Sequence, residues 1–303
     1  MSRLLVTAIV PIVMCAACAA DAPDTAGRNG PLTVYTVNYP LQYFAQRIGG
    51  EHIALTFPAP RDGDPAFWKP DLAAIARYQQ ADLILLNGAG YAKWVDKVSL
   101  PVSRLVDTSA AVRERYLRIE GALTHGHGPD GAHAHEGTAF TTWLDLGIAV
   151  EQARAVKAAL VRAAPQHAGE FEAGFEALAK DLQRVERLTS VAVGAQPGRA
   201  VVVSHPVYQY LAQRYHLNLK SVHWEPDVLP GAEAWAELKQ LLADHPARWM
   251  IWEEEPLAET VAQLQALGVH SVVVDPCGNA SEQGDFLDVM KKNLAALRRV
   301  YAP

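Results

Sequence analysis

The segment RAVVVSHPVYQYLAQRYHLNLKSVHW, residues 199–224, decides the fold class. It begins with the β-branched run RAVVVS (199–204), continues through a helical pattern and ends in a second extended run, LKSVHW (219–224). Short strands that alternate with helices are typical of βαβ units and parallel sheets, so we predict an α/β protein.

Runs of the same kind fall into two groups of four. The first group is LTVYTV (32–37), IALTF (53–57), DLILLN (82–87) and RLVD (104–107). The second adds RWMIWE (248–253) and HSVVVD (270–275) to the two runs above. We interpret each group as one doubly wound lobe with a parallel sheet, an N-terminal lobe over residues 32–163 and a C-terminal lobe over 199–303.

A long helix is predicted between the two lobes. Residues 144–193 contain almost no Gly or Pro and carry apolar residues at three- and four-residue spacing, as in FEAGFEALAKDLQRVERL. Because proline suits a first helical turn, Pro165 is interpreted as the start of a linking helix over residues 165–193. Such a helix, about 40 Å long at 1.5 Å per residue, would connect the lobes rigidly; the alternative is an ordinary helix within one domain.

Composition bounds the class of partner. The chain has 303 residues, half of them hydrophobic, and a formal net charge of −6. It is long enough for two domains. The acidic balance argues against nucleic acid or an anionic membrane surface as partner and favours a small cation.

The N-terminus, MSRLLVTAIVPIVMCAACAAD, predicts export. One arginine, a short apolar run and small residues are typical of a signal peptide, here residues 1–20. The motif AACAA permits cleavage at an Ala-x-Ala site or lipid attachment at Cys18, although Cys15 stands where the lipid-attachment signal usually has leucine. We therefore expect a periplasmic protein whose only membrane contact would be a lipid anchor. Cys277 is predicted to be a buried small hydrophobe, with thiolate ligation as the alternative.

The tract THGHGPDGAHAHEG, residues 124–137, is rich in histidine. Its glycines and proline predict a mobile surface loop without regular structure. Imidazole is a common metal ligand, so His125, His127, His133 and His135 are interpreted as accessory metal capture. The alternative is an inert loop.

The strand ends of the second lobe carry metal-ligand side chains. Ligands of open α/β sheets bind beyond the carboxyl ends of the strands. The four strands there end in or near the candidate ligands His205, His223, Glu253, Glu254 and Asp275. Taken singly, each has a structural alternative, since aspartate caps helices and a lone histidine is often a core residue. Together they suit Zn²⁺, and also Mn²⁺ or Fe²⁺.

Further candidates flank these strand ends. Glu225 follows His223 closely and is predicted to orient an imidazole or to bind the metal itself, unless it lies in an exposed loop. The first lobe ends its strands in a poorer ligand set. It offers aromatic residues instead, so Trp68, together with Trp224 of the second lobe, is predicted to line the cleft; for Trp68 a hydrophobic corner is the alternative.

From about residue 32 to the C-terminus, the chain resembles the zinc/manganese family (cluster A-I) of ABC-transporter substrate-binding proteins. The segments that carry the resemblance are VYTVNYPLQYFAQRIGGEHIAL, ADLILLNGAGYAKWVDK, the mid-chain His-rich tract followed by WLDL, SHPVYQYLAQRYHLNL and VVVDPCG. The resemblance implies two α/β lobes, a long connecting helix and a metal held in a cleft between the lobes by three histidines and one carboxylate. His205 matches the third histidine and Asp275 the carboxylate.

The other two histidines of the family pattern are missing. DPA puts Ala66 at the first position, and AFTTWLD puts Thr141 at the second. Three interpretations follow: the site has moved into the second lobe, the His-rich loop replaces the lost imidazoles, or the cleft holds a metal chelate or an organic molecule.

The predicted function is capture of a divalent transition metal, with zinc as the first candidate, and its delivery to an ABC transporter permease. Because imidazole binds metal only when neutral, affinity should fall below about pH 6. The alternatives are a receptor for a chelate or organic ligand and a metal-dependent hydrolase with Glu253 or Glu254 as base. The absence of H-E-x-x-H and G-x-S-x-G motifs argues against the hydrolase.

Overall fold

The computed structural model describes residues 30–119, 124–126, 132–134, 137–196, 198–281 and 284–303. The predicted signal peptide with Cys18, as well as His127 and His135 of the tract, lies outside the described residues. Among the described helices, none combines the length and the hydropathy that a membrane crossing requires.

The first lobe is built on a parallel four-stranded sheet in the order β2-β1-β3-β4. Its strands are β1 (Leu32–Thr36), β2 (Ile53–Thr56), β3 (Leu83–Leu86) and β4 (Leu105–Asp107). Helix α1 (Tyr39–Gly49) follows β1, and α2 (Leu72–Gln80) precedes β3. Asn38 caps α1 by accepting a hydrogen bond from the Leu41 amide, and Pro40 occupies the first turn, where no backbone donor is needed.

The second lobe repeats this arrangement in the order β10-β9-β11-β12, also parallel. Its strands are β9 (Ala200–Val203), β10 (Asn218–Ser221), β11 (Trp249–Trp252) and β12 (His270–Val273). The helices are α5 (Gln209–Tyr215), α6 (Ala232–Asp244), α7 (Ala258–Ala266) and α8 (Phe286–Tyr301). All eight predicted runs thus form strands, and the doubly wound α/β class is confirmed.

The His-rich tract contains regular backbone that the sequence did not predict. Strand β6 (Thr124–Gly126) pairs antiparallel with β7 (Ala132–Ala134), with His125 opposite His133. On either side, β5 (Arg118–Ile119) pairs with β8 (Gly137–Thr138). For these short segments the expectation of irregular backbone is wrong, because backbone pairing needs no side-chain packing.

Two helices, α3 (Leu146–Ala163) and α4 (Ala168–Gly194), connect the lobes. The predicted start at Pro165 is a short 3-10 turn, Pro165–His167, and the α-helix itself begins at Ala168. At 1.5 Å per residue its 27 residues extend about 40 Å. Helix α4 packs against α1 and α3 of the first lobe and against α8. A Cβ at Gly174 would lie 2.8 Å from the Arg47 carbonyl oxygen, so the contact between α4 and α1 requires glycine there.

The lobes meet at the carboxyl ends of their sheets. The Trp143 indole donates a hydrogen bond to the Pro276 carbonyl (2.7 Å), and the Tyr39 amide donates to the Gly278 carbonyl (3.0 Å). The side-chain amide of Asn279 donates to the Pro60 carbonyl at 2.8 Å. The segments that follow β1, β2 and β12 therefore meet at the junction between the lobes.

Candidate metal centre

Each sheet has a switch point at its centre, where the chain leaves two neighbouring strands in opposite directions. Ligands of such sheets bind in the crevice beyond the switch point. In the first lobe, Asn38 after β1 and Asn87 after β3 fill this crevice, since the Asn38 amide donates to Asn87 Oδ1 at 3.2 Å and both residues are fully buried. In the second lobe, His205 after β9 and Glu253 after β11 occupy the equivalent positions.

His205 lies between two carboxylates. Its side chain is buried, Nδ1 lies 3.2 Å from Glu253 Oε1, and Nε2 lies 3.4 Å from Glu225 Oε1. In its protonated form the imidazole donates from both nitrogens, whereas in its neutral form one nitrogen carries an N–H and the other presents a lone pair to a carboxylate. A cation at the other nitrogen would remove the repulsion between lone pair and carboxylate, while the remaining carboxylate held the N–H.

His223 lies beside His205 because β9 and its neighbour continue to pair beyond the end of β10. The Val222 amide donates to the Val203 carbonyl and the Trp224 amide to the Ser204 carbonyl, each at 3.0 Å. The His205 and His223 rings are nearly perpendicular, with centroids 6.0 Å apart. Burial, and then the neighbouring His205, lower the pKa of His223, while Glu225 opposes this shift. A histidine with a lowered pKa remains neutral down to a lower pH, and the neutral form is the one that binds metal.

Asp275 is fixed at the end of β12 by backbone contacts. Its Oδ1 accepts a hydrogen bond from the Cys277 amide at 2.6 Å, and its backbone exchanges two hydrogen bonds with the Asn293 side chain. Burial raises the pKa of Asp275; Glu254 raises it further, and the Cys277 amide lowers it. The charged form of this carboxylate is therefore costly without a nearby cation. Cys277 is buried, as the sequence predicts.

The predicted ligands share one region, but their donor atoms do not converge on one point. Within the described residues, the one group of three ligand atoms that all lie within 4.8 Å of each other is elsewhere, at His52, His167 and Glu170. Glu254 is exposed, and the carboxylate in contact with His205 is Glu253. Metal binding by the predicted set thus requires side-chain rotation at the strand ends.

The two first-lobe positions offer no strong ligand. Ala66 is buried, and its amide donates to Asp64 Oδ1 at 2.8 Å in a tight turn. Thr141 is also buried, and its hydroxyl donates to the Val207 carbonyl of the second lobe at 2.6 Å. In place of two imidazoles, these positions therefore carry a buried methyl group and a hydroxyl that forms a hydrogen bond between the lobes.

The tryptophans have structural surroundings. Trp224, predicted to line the cleft, is buried in the second lobe's core, with its ring centroid 4.7 Å from that of Trp235 and 6.3 Å from that of Trp252. We therefore correct that prediction, which failed because a strand-end residue can point to either face of the sheet. Trp68 packs against Trp94 and Tyr78, which favours the alternative of a hydrophobic corner.

One residue at the junction carries no sequence signal. The Tyr91 hydroxyl is buried and has no hydrogen-bond partner among the described residues. Its ring packs against Phe140 and Trp143, and a Cβ at Gly278 of the other lobe would lie 3.6 Å from its oxygen. Burial, and then Asp64, raise the pKa of Tyr91 well above its usual value, so it remains a neutral hydroxyl at the lobe junction.

His205 thus lies between two carboxylates at the end of a strand, beside the junction of two lobes that are each built on a parallel sheet. A comparison with the sequence model of a known family agrees with this arrangement. The sequence model of the family described as zinc-uptake complex component A, periplasmic (ZnuA), matches residues 34–300. This chain belongs to the ZnuA family. The resemblance noted in the sequence is thereby confirmed; in this ZnuA-family chain, Ala66 and Thr141 stand where that resemblance leads one to expect two first-lobe histidines.

Individual ZnuA-like proteins are similar over most of the chain. The zinc-binding lipoprotein AdcA of Streptococcus pneumoniae serotype 4 is 24% identical over 291 residues, which cover 89% of this chain and 56% of AdcA. The chain thus spans about half the length of AdcA. The high-affinity zinc uptake system protein ZnuA of Bacillus subtilis is 24% identical over 293 residues, 89% of this chain and 88% of that protein.

The solved structure of the Zn(II)-bound ZnuA-like domain of Streptococcus pneumoniae AdcA has the same fold. The TM-score is 0.77 at 21% identity, and the match covers 90% of this chain and 100% of the domain.

Proposed function

We propose that this chain is the substrate-binding component of a metal-uptake ABC transporter, which captures Zn²⁺ at the second-lobe strand ends and delivers it to a membrane permease. His205 and Asp275 are the central ligands, and His223 and Glu253 complete the set, with Glu225 holding His205 in position. Membership of the family described as zinc-uptake complex component A supports the function, and its description as periplasmic supports the location.

The observation that carries this proposal is the environment of His205. A buried imidazole with a carboxylate on each nitrogen, 3.2 and 3.4 Å away, and a second imidazole beside it is an arrangement that a divalent cation stabilises. Nitrogen and oxygen donors together suit Zn²⁺ better than Mn²⁺, which stands lower in the general order of affinities.

Delivery follows from the way in which the lobes are joined. Helix α4 packs on both sides of the junction, so we expect the lobes to rock by a small angle rather than to open widely. Docking on a permease would separate the strand ends, weaken the ligation and release the ion.

Native mass spectrometry of the metal-stripped, untagged protein tests this proposal. After incubation with zinc, His205→Ala is expected to bind one zinc ion fewer than the unmodified chain. His270→Ala is the matched control, because His270 is exposed at the opposite end of β12, and it should bind as the unmodified chain does. Equal zinc stoichiometry for His205→Ala and the unmodified chain would overturn the proposal.

Native mass spectrometry of the same untagged protein as isolated, before metal is stripped, separates the remaining alternatives. Retention of an organic mass or of a metal complex after gentle desalting would favour a receptor for a chelate. The observation that favours this second candidate is that Ala66 and Thr141 stand where the family resemblance leads one to expect two histidine ligands.

A further inference from the structure

A second group of metal-ligand side chains lies at the far end of the first lobe. His52 ends the 3-10 turn Gly50–His52 that leads into β2, and His167 ends the turn Pro165–His167 that leads into α4. Glu170 stands in the first turn of α4. One ligand atom from each of these three residues lies within 4.8 Å of the other two.

This group is remote from the strand-end site. Helix α1 begins at the lobe junction, where the Tyr39 amide contacts Gly278, and His52 follows its other end. The 11 residues of α1 span about 16 Å at 1.5 Å per residue. The group of His52, His167 and Glu170 therefore lies at the end of the first lobe that faces away from the junction, whereas the strand-end ligands lie in the second lobe beside the junction.

The imidazole rings of His52 and His167 stack on each other and pack against the buried ring of Phe171. Their ring centroids are 3.7 Å apart with an angle of 21° between planes, and both rings contact Phe171 with centroids at 5.8 and 6.1 Å. Phe171 is fully buried, and the histidines are half-buried. The stack leaves part of each ring accessible to solvent while restricting where the rings can move.

We propose that His52, His167 and Glu170 form a second divalent-metal site, which takes a borderline transition ion such as Zn²⁺ and ties the start of α4 to the first lobe. Two nitrogens and one carboxylate oxygen are a typical three-ligand set that leaves a position for water. His167 and Glu170 are three residues apart at the start of a helix, so both project to the same side.

Binding changes the arrangement of the rings. The lone pair of an imidazole nitrogen lies in the ring plane, so two nearly parallel stacked rings cannot both direct lone pairs at one ion. One ring must rotate towards Glu170, and the stack is lost when the ion binds. The charge of Glu170 offsets the unfavourable effect of a cation near a helix N-terminus.

The ion would join two segments that are distant in the sequence. His52 belongs to the connection between α1 and β2, whereas His167 and Glu170 belong to the connecting helix. Bound metal would therefore stiffen the attachment of α4 to the first lobe and restrict the rocking of the lobes. This role does not depend on the proposed transport function.

Zinc stoichiometry of full-length variants tests the second site. His167→Phe keeps a stacking ring against His52 and Phe171 but removes the nitrogen donors, and Glu170→Gln changes only an exposed carboxylate. We expect each to bind one zinc ion fewer by native mass spectrometry, or to bind it at least about tenfold more weakly. His270→Phe, an exposed histidine elsewhere, is the control and should bind as the unmodified chain does.

A second measurement locates the effect. In the His205→Ala background, zinc should raise the Tm and slow amide hydrogen exchange in residues 50–53 and 165–171, and both effects should vanish when His167→Phe is added. Unchanged stoichiometry together with unchanged zinc affinity in both His167→Phe and Glu170→Gln would overturn the second site. Loss of an ion in these variants but not in His205→Ala would leave the second site standing and refute the strand-end site.

Discussion

Thr141 and Val207 join the two lobes through a hydrogen bond of 2.6 Å, donated by the Thr141 hydroxyl to the Val207 carbonyl. The Val207 amide in turn donates to the carbonyl of His205 at 2.9 Å. Position 141, where the family resemblance leads one to expect a histidine, therefore lies next to the segment that carries His205. At this position the protein has a direct contact between the lobes and no imidazole.

Removal of this hydroxyl should weaken the junction. Thr141→Val keeps the shape of the side chain but leaves the Val207 carbonyl without its donor, so we expect a loss of about 1 to 3 kcal/mol in the free energy of unfolding. Urea unfolding of the metal-stripped protein measures this, and Thr141→Ser, which keeps the hydroxyl, should lose less. Equal stability of Thr141→Val and the unmodified chain would mean that the contact contributes nothing.

Restoring the family histidine should tighten metal binding. Thr141→His places an imidazole beside the His205 segment, and we expect zinc affinity to rise about tenfold, equivalent to about 1.4 kcal/mol. Competition with a zinc chelator measures the change. His205→Ala in the same background should cancel the gain, and a gain that survives this change would indicate a site elsewhere.

The carboxylates around His205 should control its affinity for metal. Glu253→Gln and Glu225→Gln keep the size of each side chain and remove its charge, so we expect about 10- to 100-fold weaker zinc binding for each. Glu255→Gln alters an exposed carboxylate two residues beyond Glu253 and is the matched control. If the control and the two site variants lose affinity equally, the effect is one of net charge only.

The charged side chain of Asp275 should destabilise the metal-free protein at neutral pH. Its folded-state pKa is raised above the unfolded value, so its favourable contribution is present below the unfolded pKa and is lost as pH rises through the folded pKa. Asp275→Asn keeps an acceptor for the Cys277 amide. The variant should therefore be more stable than the unmodified apoprotein at pH 7, and the difference should shrink towards pH 4.

Chemical unfolding at several pH values measures this difference. Asp275→Asn should also bind zinc more weakly, because a neutral amide is a poorer ligand than a carboxylate. A variant that is less stable than the unmodified chain at pH 7 would contradict the argument from burial.

Deletion of residues 125–135 should separate capture from retention. If the His-rich tract only collects ions, stopped-flow zinc uptake will be slower and the equilibrium affinity will change little. A large loss of affinity would instead make the tract a ligand donor at the main site.

The sequence predicted the fold well because the signal is local. The run RAVVVS and seven others like it carry enough β-branched and apolar residues to specify strands. The start of the linking helix differs from the prediction by three residues. Pro165 begins a 3-10 turn, and the α-helix itself begins at Ala168.

The order of the strands predicted which residues lie at the site, but not which of their side chains contact one another. The argument from strand ends placed His205, Glu253 and Asp275 at one edge and predicted that Glu225 orients an imidazole, but it could not choose between Glu253 and Glu254 or say which histidine Glu225 contacts. Those contacts depend on side-chain directions after the strands end. The prediction that Trp224 lines the cleft was wrong for the same reason.

The sequence carries almost no signal that His52, His167 and Glu170 lie together. His52 and His167 lie far apart in the chain, and each ends a short turn, so no periodicity connects them. The spacing of His167 and Glu170 at a predicted helix start is the one signal that was available. Their meeting is decided by the packing of α1 against α4.

Isothermal titration calorimetry of the metal-stripped, full-length protein with zinc, manganese and iron(II) tests the central claim most directly. We predict a tight zinc-binding phase that disappears in His205→Ala and persists in His270→Ala, with weaker binding of manganese. No heat of binding with any of the three ions, or an unchanged tight phase in His205→Ala, would contradict a metal site at the second-lobe strand ends.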